Sequence, residues 1–330
     1  MKTLCNKILT LVICMTALAW ALPSAKAQSI STLEEKVLPV GEFSSVKVTD
    51  DFNVSLVKGS YSVRLTTDKA LAPYVQVYVR SKVLYITYDS KSVPKDLKKQ
   101  YKGKGVPEPV FRAVVYLPEL NGITLEDNAT LIAVDEFRGG TFTMNLQDKS
   151  QVKGLKLRAG SAQISLKRNS QANIDLSLDQ KADVSTDGNA TLVMNLYAPE
   201  VSVATAGSSS VSLSGESQKM NLSAAGSSKV SANEKNEVAV LSLGNSSKTV
   251  LTGTAETIQL NSEKNAELDA ANYAGQKLEA NMSGGRATVN VEKELSVNLS
   301  GGSALYYSGT PVFKIGKILK STLAPSDSAK

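Results

Sequence analysis

The chain has 330 residues, of which 42% are hydrophobic and only 5% aromatic, with 37 Lys and Arg against 31 Asp and Glu. It contains no histidine, which excludes catalytic centres of the Ser-His-Asp and Cys-His types and every metal site built on imidazole. This length is enough for one large domain or two small ones.

The N-terminus has the pattern of a secretory signal peptide. Two lysines precede an apolar run over residues 8–22, and the small residues Ala25 and Ala27 fit cleavage before Gln28. An uncleaved membrane anchor is the alternative, but a run of about fifteen residues is short for a membrane span. The sequence therefore predicts that 1–27 is a signal peptide.

The predicted signal peptide contains both cysteines, Cys5 and Cys14, and the only tryptophan, Trp20. The mature chain is therefore expected to have no disulfide and no cysteine metal site. Ile13 is too large for the position before a lipidated cysteine, so lipidation is not expected. Loss of the signal peptide's three lysines lowers the net charge from +6 to +3, and this balance implies no nucleic-acid partner.

A polar leader over 28–37 is followed by a β-rich N-terminal part over 38–120 without a visible repeat. Short alternating runs such as Val46 and Val48 predict strands there. Residues 91–109 interrupt the pattern with six lysines, three prolines and two glycines, which predicts an exposed loop or short helix. Such a segment suits contact with anionic lipopolysaccharide, capsule or phospholipid headgroups. A solvated, mobile loop is the simpler interpretation.

Residues 121–307 repeat themselves with a period of about 20 residues, which is typical of stacked-repeat architectures. The repeat is marked by an anchor position, usually a small residue beside Asn, Gly, Ser or Lys. Successive anchors are separated by 17 to 21 residues. The anchors are Ala129, Ser150, Ser170, Ala190, Ser209, Ser228, Ser247, Ala266, Arg286 and Ser303.

The positions around each anchor alternate in character. The residue at the sixth position before the anchor, at the fourth before it and at the second after it is mostly aliphatic. The residue at the fifth position before it is polar or small. This alternation predicts strands with one buried face, so that Val211 and Leu243 point inward and Ser242 points outward. Turn-forming residues before the anchors predict tight corners. Strands this short need the neighbouring coil as a partner, which predicts an all-β parallel β-helix of about ten coils. A β-sandwich of hairpins is the alternative, but hairpins need not keep a fixed register.

Several segments in order resemble a known family. They are "VGEFSSVKVTDDFNVSLVKGS", "VQVYVRSKVLYITYD", a strand ending in "LPEL" before the repeats, and "YYSGTP" after them. Over residues 38–312 the chain resembles the bacterial "putative auto-transporter adhesin, head GIN domain" family, of the DUF2807 type. The resemblance implies a single-stranded right-handed β-helix of the pectin-lyase-like type, exported, with an adhesive or envelope role. It carries over no catalytic residue. Residues 313–330 are expected to form a C-terminal cap and a disordered tail.

One pair of carboxylates is a candidate catalytic site, because pectin-lyase-like β-helices often act on polysaccharides. Asp127 and Asp148 each lie two residues before an anchor on adjacent coils, which places them about 5 Å apart. Two carboxylates at that distance suit the acid and nucleophile of a glycosidase or a calcium site. Arg168 takes the same position on the next coil, so an exposed row of charges is the simpler interpretation.

The favoured interpretation is an exported, non-enzymatic envelope or cell-surface protein, an adhesin or scaffold that binds through flat polar faces. Its expected partner is a surface glycan, a matrix component or an envelope protein, and its expected location is the periplasm, the outer-membrane surface or the exterior. The alternative is a polysaccharide lyase or hydrolase that uses Asp127 and Asp148. The sequence predicts no cofactor, no metal and no transmembrane span in the mature chain, and it singles out no individual binding residue.

Overall fold

The computed structural model describes residues 32–328, so the predicted signal peptide lies outside the described residues. The described chain is a β-solenoid of about 11 turns, with 69% of the residues in strands and almost no helix. The predicted parallel β-helix is therefore confirmed. Within the described range, no helix combines the length and the apolar character that crossing a membrane requires.

The regular elements follow one another with short connections. Residues 32–328 contain one α-helix, α1 (Lys95–Gln100), and two 3₁₀ turns at Ala72–Tyr74 and Ser326–Ser328. The strands are β1 (Leu33–Pro39), β2 (Ser45–Val48), β3 (Asn53–Lys58), β4 (Ser62–Asp68), β5 (Val75–Arg80), β6 (Val83–Tyr88), β7 (Phe111–Leu117), β8 (Gly122–Leu125), β9 (Thr130–Ala133), β10 (Glu136–Arg138), β11 (Thr141–Leu146), β12 (Gln151–Ala159), β13 (Ser161–Arg168), β14 (Gln171–Leu178), β15 (Lys181–Gly188), β16 (Thr191–Tyr197), β17 (Glu200–Thr205), β18 (Ser210–Ala224), β19 (Lys229–Leu243), β20 (Lys248–Ser300), β21 (Ala304–Ser308), β22 (Val312–Ile318) and β23 (Thr322–Pro325).

Two parallel ladders carry most of the stacking. The first ladder runs through β2, β8, β11, β13, β15, β17 and the later parts of β18, β19 and β20 to β22. The second ladder runs through β3, β9, β12, β14, β16 and the first parts of β18 and β19 to β20, β21 and β23.

The register of the ladders confirms the predicted inward and outward rows. Leu243 faces Ala224 on one neighbouring coil and Ser262 on the other, and its side chain is buried. Val211 is buried between Leu192 and Val230 in the same way. Ser242 lies on the exposed side of the first ladder. Burial of aliphatic side chains in continuous rows therefore holds the coils together.

One coil departs from the predicted register. Arg286, taken as an anchor, is exposed, and its guanidinium lies 4.7 Å from the ring centroid of Tyr306. The next inward residue is Ala287 rather than Thr288. The corner of this coil is one residue shorter than its neighbours, and Gly285 takes the inner position against the carbonyl of Ala266. The prediction for Arg286 is therefore wrong, while the other nine anchors are buried.

A second difference lies at the N-terminal end, where the first coil was not predicted. β2 pairs in parallel with β8, and β3 with β9, so residues 45–58 already form a coil. Its anchor position holds Phe52, a large residue that packs against Phe111 with ring centroids 5.2 Å apart. On the far side of this coil, β6 and β7 pair in parallel with β2 and β3 in place of a regular coil. Phe52 is fully buried against Phe111 at the start of β7, where the later coils have a small anchor residue.

The chain between this coil and the next forms the N-terminal end of the solenoid. β4 pairs antiparallel with both β7 and β1, and β5 pairs antiparallel with β6. The segment 28–37, expected to be a polar leader, therefore contributes the start of a paired strand at Leu33. Within 91–109 the short helix α1 is present, which confirms one of the two forms predicted for this segment.

At the C-terminal end, the residues expected to form a cap and a disordered tail form two strands. β22 pairs in parallel with residues 294–299 and continues the first ladder, while β23 pairs with β21 and continues the second. The segment after Lys320 is therefore ordered as far as it is described. Because no further coil covers β22 in the described chain, its apolar residues are exposed; they include Val312, Phe313, Ile315 and Ile318.

Candidate binding faces and a buried polar cluster

Asp127 and Asp148 lie in the corner column. This column consists of one residue from each coil, at the point where the chain turns between the two ladders. Every member has a positive φ, between 49° and 122°. This left-handed conformation favours Gly, Asn and Asp over other residue types. The members are Asp50, Asp127, Asp148, Arg168, Gly188, Gly207, Gly226, Asn245, Lys264, Gly284, Gly301 and Lys320.

The contacts of the two aspartates are those of corner residues. The Asp127 carboxylate faces the backbone N–H of Asp50 at 3.4 Å, and its carbonyl accepts a 2.7 Å hydrogen bond from the N–H of Lys149. The Asp148 carboxylate accepts a charged hydrogen bond from the Arg168 guanidinium. The predicted row of charges is thus present. Both carboxylates therefore contact groups at neighbouring corners of the stack.

The outward side of the first ladder, here called the polar face, is lined by short uncharged side chains. The predicted outward row is Thr124, Asn145, Ser165, Ser185, Ala204, Ser223, Ser242, Asn261, Asn281 and Asn298. Side chains of neighbouring coils bond to one another along it, as in the 3.0 Å hydrogen bond from Asn298 Nδ2 to Asn281 Oδ1. The face is therefore a regular array of hydroxyl and amide groups parallel to the axis of the solenoid.

The polar face is concave. Two shallow hollows of about 680 and 520 Å³ lie along it and share Ser223 and Ser242, so they form one trough. Asp183 and Glu263 are the charged residues that line the two hollows. The trough is thus nearly uncharged, and it extends over several coils.

A larger cleft of about 720 Å³ lies on another corner, among the later coils. Tyr197, whose side chain is 53% exposed, stands on its rim. Ser217 and Asn236 lie on its floor and are largely buried. The rest of the lining mixes acidic, basic and amide groups and includes Glu216, Gln218, Lys235, Glu237, Glu256 and Gln276.

Beneath this cleft lies a buried polar cluster that includes a carboxyl group. Asn236 donates from Nδ2 to Ser217 Oγ at 2.7 Å and accepts from the Tyr273 hydroxyl at 2.5 Å. Glu234 lies two residues before Asn236 and is only 3% exposed. On the adjacent coils its position is occupied by Gly215 and Gly253, whose positive φ angles of 147° and 113° favour glycine.

Burial dominates the electrostatics of the cluster. It raises the pKa of Glu234 to about 7; a hydrogen bond with Asn236 acts in the opposite direction, and the nearby charge of Glu216 adds to the increase. Burial, followed by the charge of Glu234, also raises the pKa of Tyr273 above its ordinary value. A low-dielectric environment disfavours the charged form of each group.

The sequence prediction missed this cluster, although a signal was present. The position six residues after an anchor reads Leu176, Leu196, Gly215, Glu234 and Gly253 on successive coils. A glutamate between two glycines in an inward row is an exception to the pattern. Within residues 32–328, no group of three or more acidic, cysteine or histidine side chains is arranged to hold a metal ion.

No protein of curated function matches the sequence. Crystal structures with similar folds include three from Parabacteroides. A putative adhesin of P. distasonis is 17% identical, with coverage of 90% of this chain and 98% of that one and a TM-score of 0.40. A putative adhesin of P. merdae is 18% identical (90% and 97%, TM-score 0.35), and a putative lipid binding protein of P. distasonis is 14% identical (90% and 97%, TM-score 0.28). These values are too low to indicate what this chain binds.

The family comparison is more informative. The model of the family described as "Putative auto-transporter adhesin, head GIN domain", DUF2807, matches residues 42–177, 164–240 and 234–311. The three overlapping matches together extend from the first coil to the "YYSGTP" segment, far more than half of the chain. The chain therefore belongs to the auto-transporter adhesin, head GIN domain family, as the sequence resemblance predicted.

Proposed function

We propose that the protein is an exported, non-enzymatic adhesin that binds an extended, uncharged glycan along the polar face. The observation that carries this proposal is the trough on the first ladder, where hydroxyl and amide side chains repeat in register over several coils. Family membership supports an adhesive role, because the family is described as an adhesin head domain.

The chemistry of the trough fits sugar hydroxyls. Serine, threonine and asparagine side chains both donate and accept hydrogen bonds, as sugar hydroxyls do. The coils are spaced by about 4.8 Å, so a polymer lying parallel to the axis meets a similar set of groups at each coil. Many weak contacts along one chain add up by multivalency and need no deep pocket.

The scarcity of charge in the trough favours a neutral glycan over an anionic one. Asp183 and Glu263 are acidic, so an anionic polymer would gain no attraction from them. An enzymatic role has less support, because Asp127 and Asp148 belong to the row of corner residues that turn the chain, and Asp148 forms an ion pair with Arg168.

Binding of soluble polysaccharides to the mature chain tests the proposal. The probes are a neutral β-glucan, a neutral mannan and anionic polygalacturonate, measured by affinity electrophoresis and calorimetry. Ser223→Arg places a bulky side chain in the middle of the trough and should weaken binding of a neutral glycan by up to about tenfold, through the loss of roughly one hydrogen-bonding site. Ser231→Arg, at an exposed position of the second ladder, is the matched control and should bind as wild type does.

Two outcomes would overturn the proposal. One is the absence of binding to any neutral polysaccharide; the other is equal binding by Ser223→Arg and wild type. The same mixtures are assayed for new reducing ends. Their appearance, and their loss in an Asp127→Asn and Asp148→Asn double variant, would support a hydrolase instead.

A further inference from the structure

The lysine-rich segment 91–104, here called the lysine cap, lies at the N-terminal end of the solenoid. It contains six lysines and one acidic residue, Asp96. Its apolar side chains point toward the core: Val93 is only 3% exposed, and Leu97 and Tyr101 pack against the buried cluster of the domain. The segment is thus attached to the domain and is not a free loop.

Local hydrogen bonds fix the entry to the lysine cap. The Asp89 carboxylate accepts hydrogen bonds from the N–H groups of Lys91 and Ser92 and from the Ser92 hydroxyl. These hydrogen bonds lower the pKa of Asp89 below its ordinary value, and the bond from the Ser92 hydroxyl has the largest effect. The carboxylate therefore stays ionised and hydrogen-bonded. Pro94 directly precedes α1, and its carbonyl accepts a hydrogen bond from the N–H of Lys98.

With the apolar side attached, the lysines face solvent. Lys91, Lys95 and Lys102 are exposed, and in the described part of the chain none of the three is in an ion pair. Lys99 lies 3.3 Å from Asp96, but both side chains are at least 76% exposed. Exposed pairs of this kind are weak, so Asp96 neutralises little of the local charge. The ionised Asp89 lies beside Lys91 and offsets part of the charge at the start of the segment. The lysine cap therefore presents a concentrated positive charge at one end of the solenoid.

We propose that the lysine cap is a docking surface for a lipid bilayer that contains anionic phospholipid. The partner is argued from charge complementarity and from geometry. The six lysines are distributed along residues 91–104, within α1 and on both sides of it, so they suit an extended layer of phosphate groups better than one bound anion. Lysine is a flexible point charge that attracts such a layer without fixed geometry. The function goes beyond glycan binding, because it uses a different part of the molecule.

Co-sedimentation with vesicles tests the proposal on the mature chain. Vesicles of phosphatidylcholine alone are compared with vesicles that also contain phosphatidylglycerol, at low and at physiological salt. Wild type should bind only the anionic vesicles, and added salt should weaken the binding because it screens exposed charges. Each lysine near an anionic surface contributes about fivefold in affinity, so Lys91→Gln, Lys95→Gln and Lys102→Gln together should lower it about a hundredfold.

A second triple variant separates local charge from total charge. Lys153→Gln, Lys156→Gln and Lys167→Gln removes three exposed lysines from the repeat coils and changes the net charge equally. It should bind anionic vesicles as wild type does. The proposal is overturned if the two triple variants behave alike, or if wild type binds both kinds of vesicle equally or neither. None of these readings depends on glycan binding at the polar face.

Discussion

Replacement of the buried Glu234 by Gln should remove a large part of the pH dependence of stability between pH 4.5 and 7. The pKa of Glu234 rises from 4.5 to about 7 on folding. The folded state therefore favours the protonated carboxyl. The stabilisation of the folded state that depends on this group is complete below pH 4.5, declines as pH rises, and is lost above about pH 7.

The size of the effect follows from the shift. One pKa unit corresponds to about 1.4 kcal/mol, so ionisation of Glu234 should cost roughly 3 kcal/mol at pH 8 relative to pH 4. The amide of Gln resembles the protonated carboxyl in size and carries no charge. Glu234→Gln should thus be close to wild type at pH 4 and more stable by about 3 kcal/mol at pH 8.

Urea denaturation followed by circular dichroism, repeated across this pH range, measures the difference. Glu256→Gln is the matched control, because Glu256 lies on an adjacent coil but is exposed. Glu256→Gln should not show the gain of about 3 kcal/mol at pH 8. If the stabilities of Glu234→Gln and wild type run parallel from pH 4 to pH 8, the carboxyl does not titrate in this window and the reasoning fails.

Four further results are expected. Leu243→Ala should lower the free energy of unfolding by about 2–5 kcal/mol through a core cavity, while Ser242→Ala should change it by no more than about 0.5 kcal/mol; equal effects in urea would contradict the assigned inward face. Gly253→Ala should destabilise by more than about 1 kcal/mol, because its φ is positive and the new Cβ would lie 2.0 Å from a carbonyl oxygen; thermal melting checks this. A chain ending at Gly309 should self-associate in size-exclusion chromatography, since it exposes the apolar rows beneath β22. N-terminal sequencing of the exported protein should begin at Gln28, and a retained leader would refute the predicted cleavage.

The repeat made the interior of the solenoid predictable, because a fixed period and an alternating pattern constrain both the strand phase and the corners. The pattern could not reveal the coils in which local packing changes the anchor residue or the length of a corner. Phe52 occupies an anchor position that is small elsewhere, so the first coil was not recognised. The paired glycines Gly284 and Gly285 shorten a corner by one residue, which displaced the predicted anchor to Arg286.

The candidate sites were less predictable, for a different reason. The polar face follows directly from the outward row, and its residues could be read from the sequence. The buried cluster depends on Tyr273 reaching across an intervening coil to Asn236, residues that are 37 positions apart in the chain. Whether the Glu234 side chain is buried or exposed depends on its neighbours on other coils. Such a contact is set by three-dimensional stacking and leaves little trace in local sequence.

The inserted N-terminal segment shows how such a solenoid tolerates additions. Stacked contacts within the repeats join residues about 20 positions apart, as between Asp148 and Arg168, whereas contacts across the insertion join residues 77 apart, as between Asp50 and Asp127. Closing the longer loop costs only about 1 kcal/mol more, because loop entropy grows with the logarithm of length. The coils on either side keep their register, so the corner after the first coil can accept a subdomain without disturbing the stack. Evolution can therefore exchange the element at this end of the protein, and with it the surface it presents, while the repeating core stays the same.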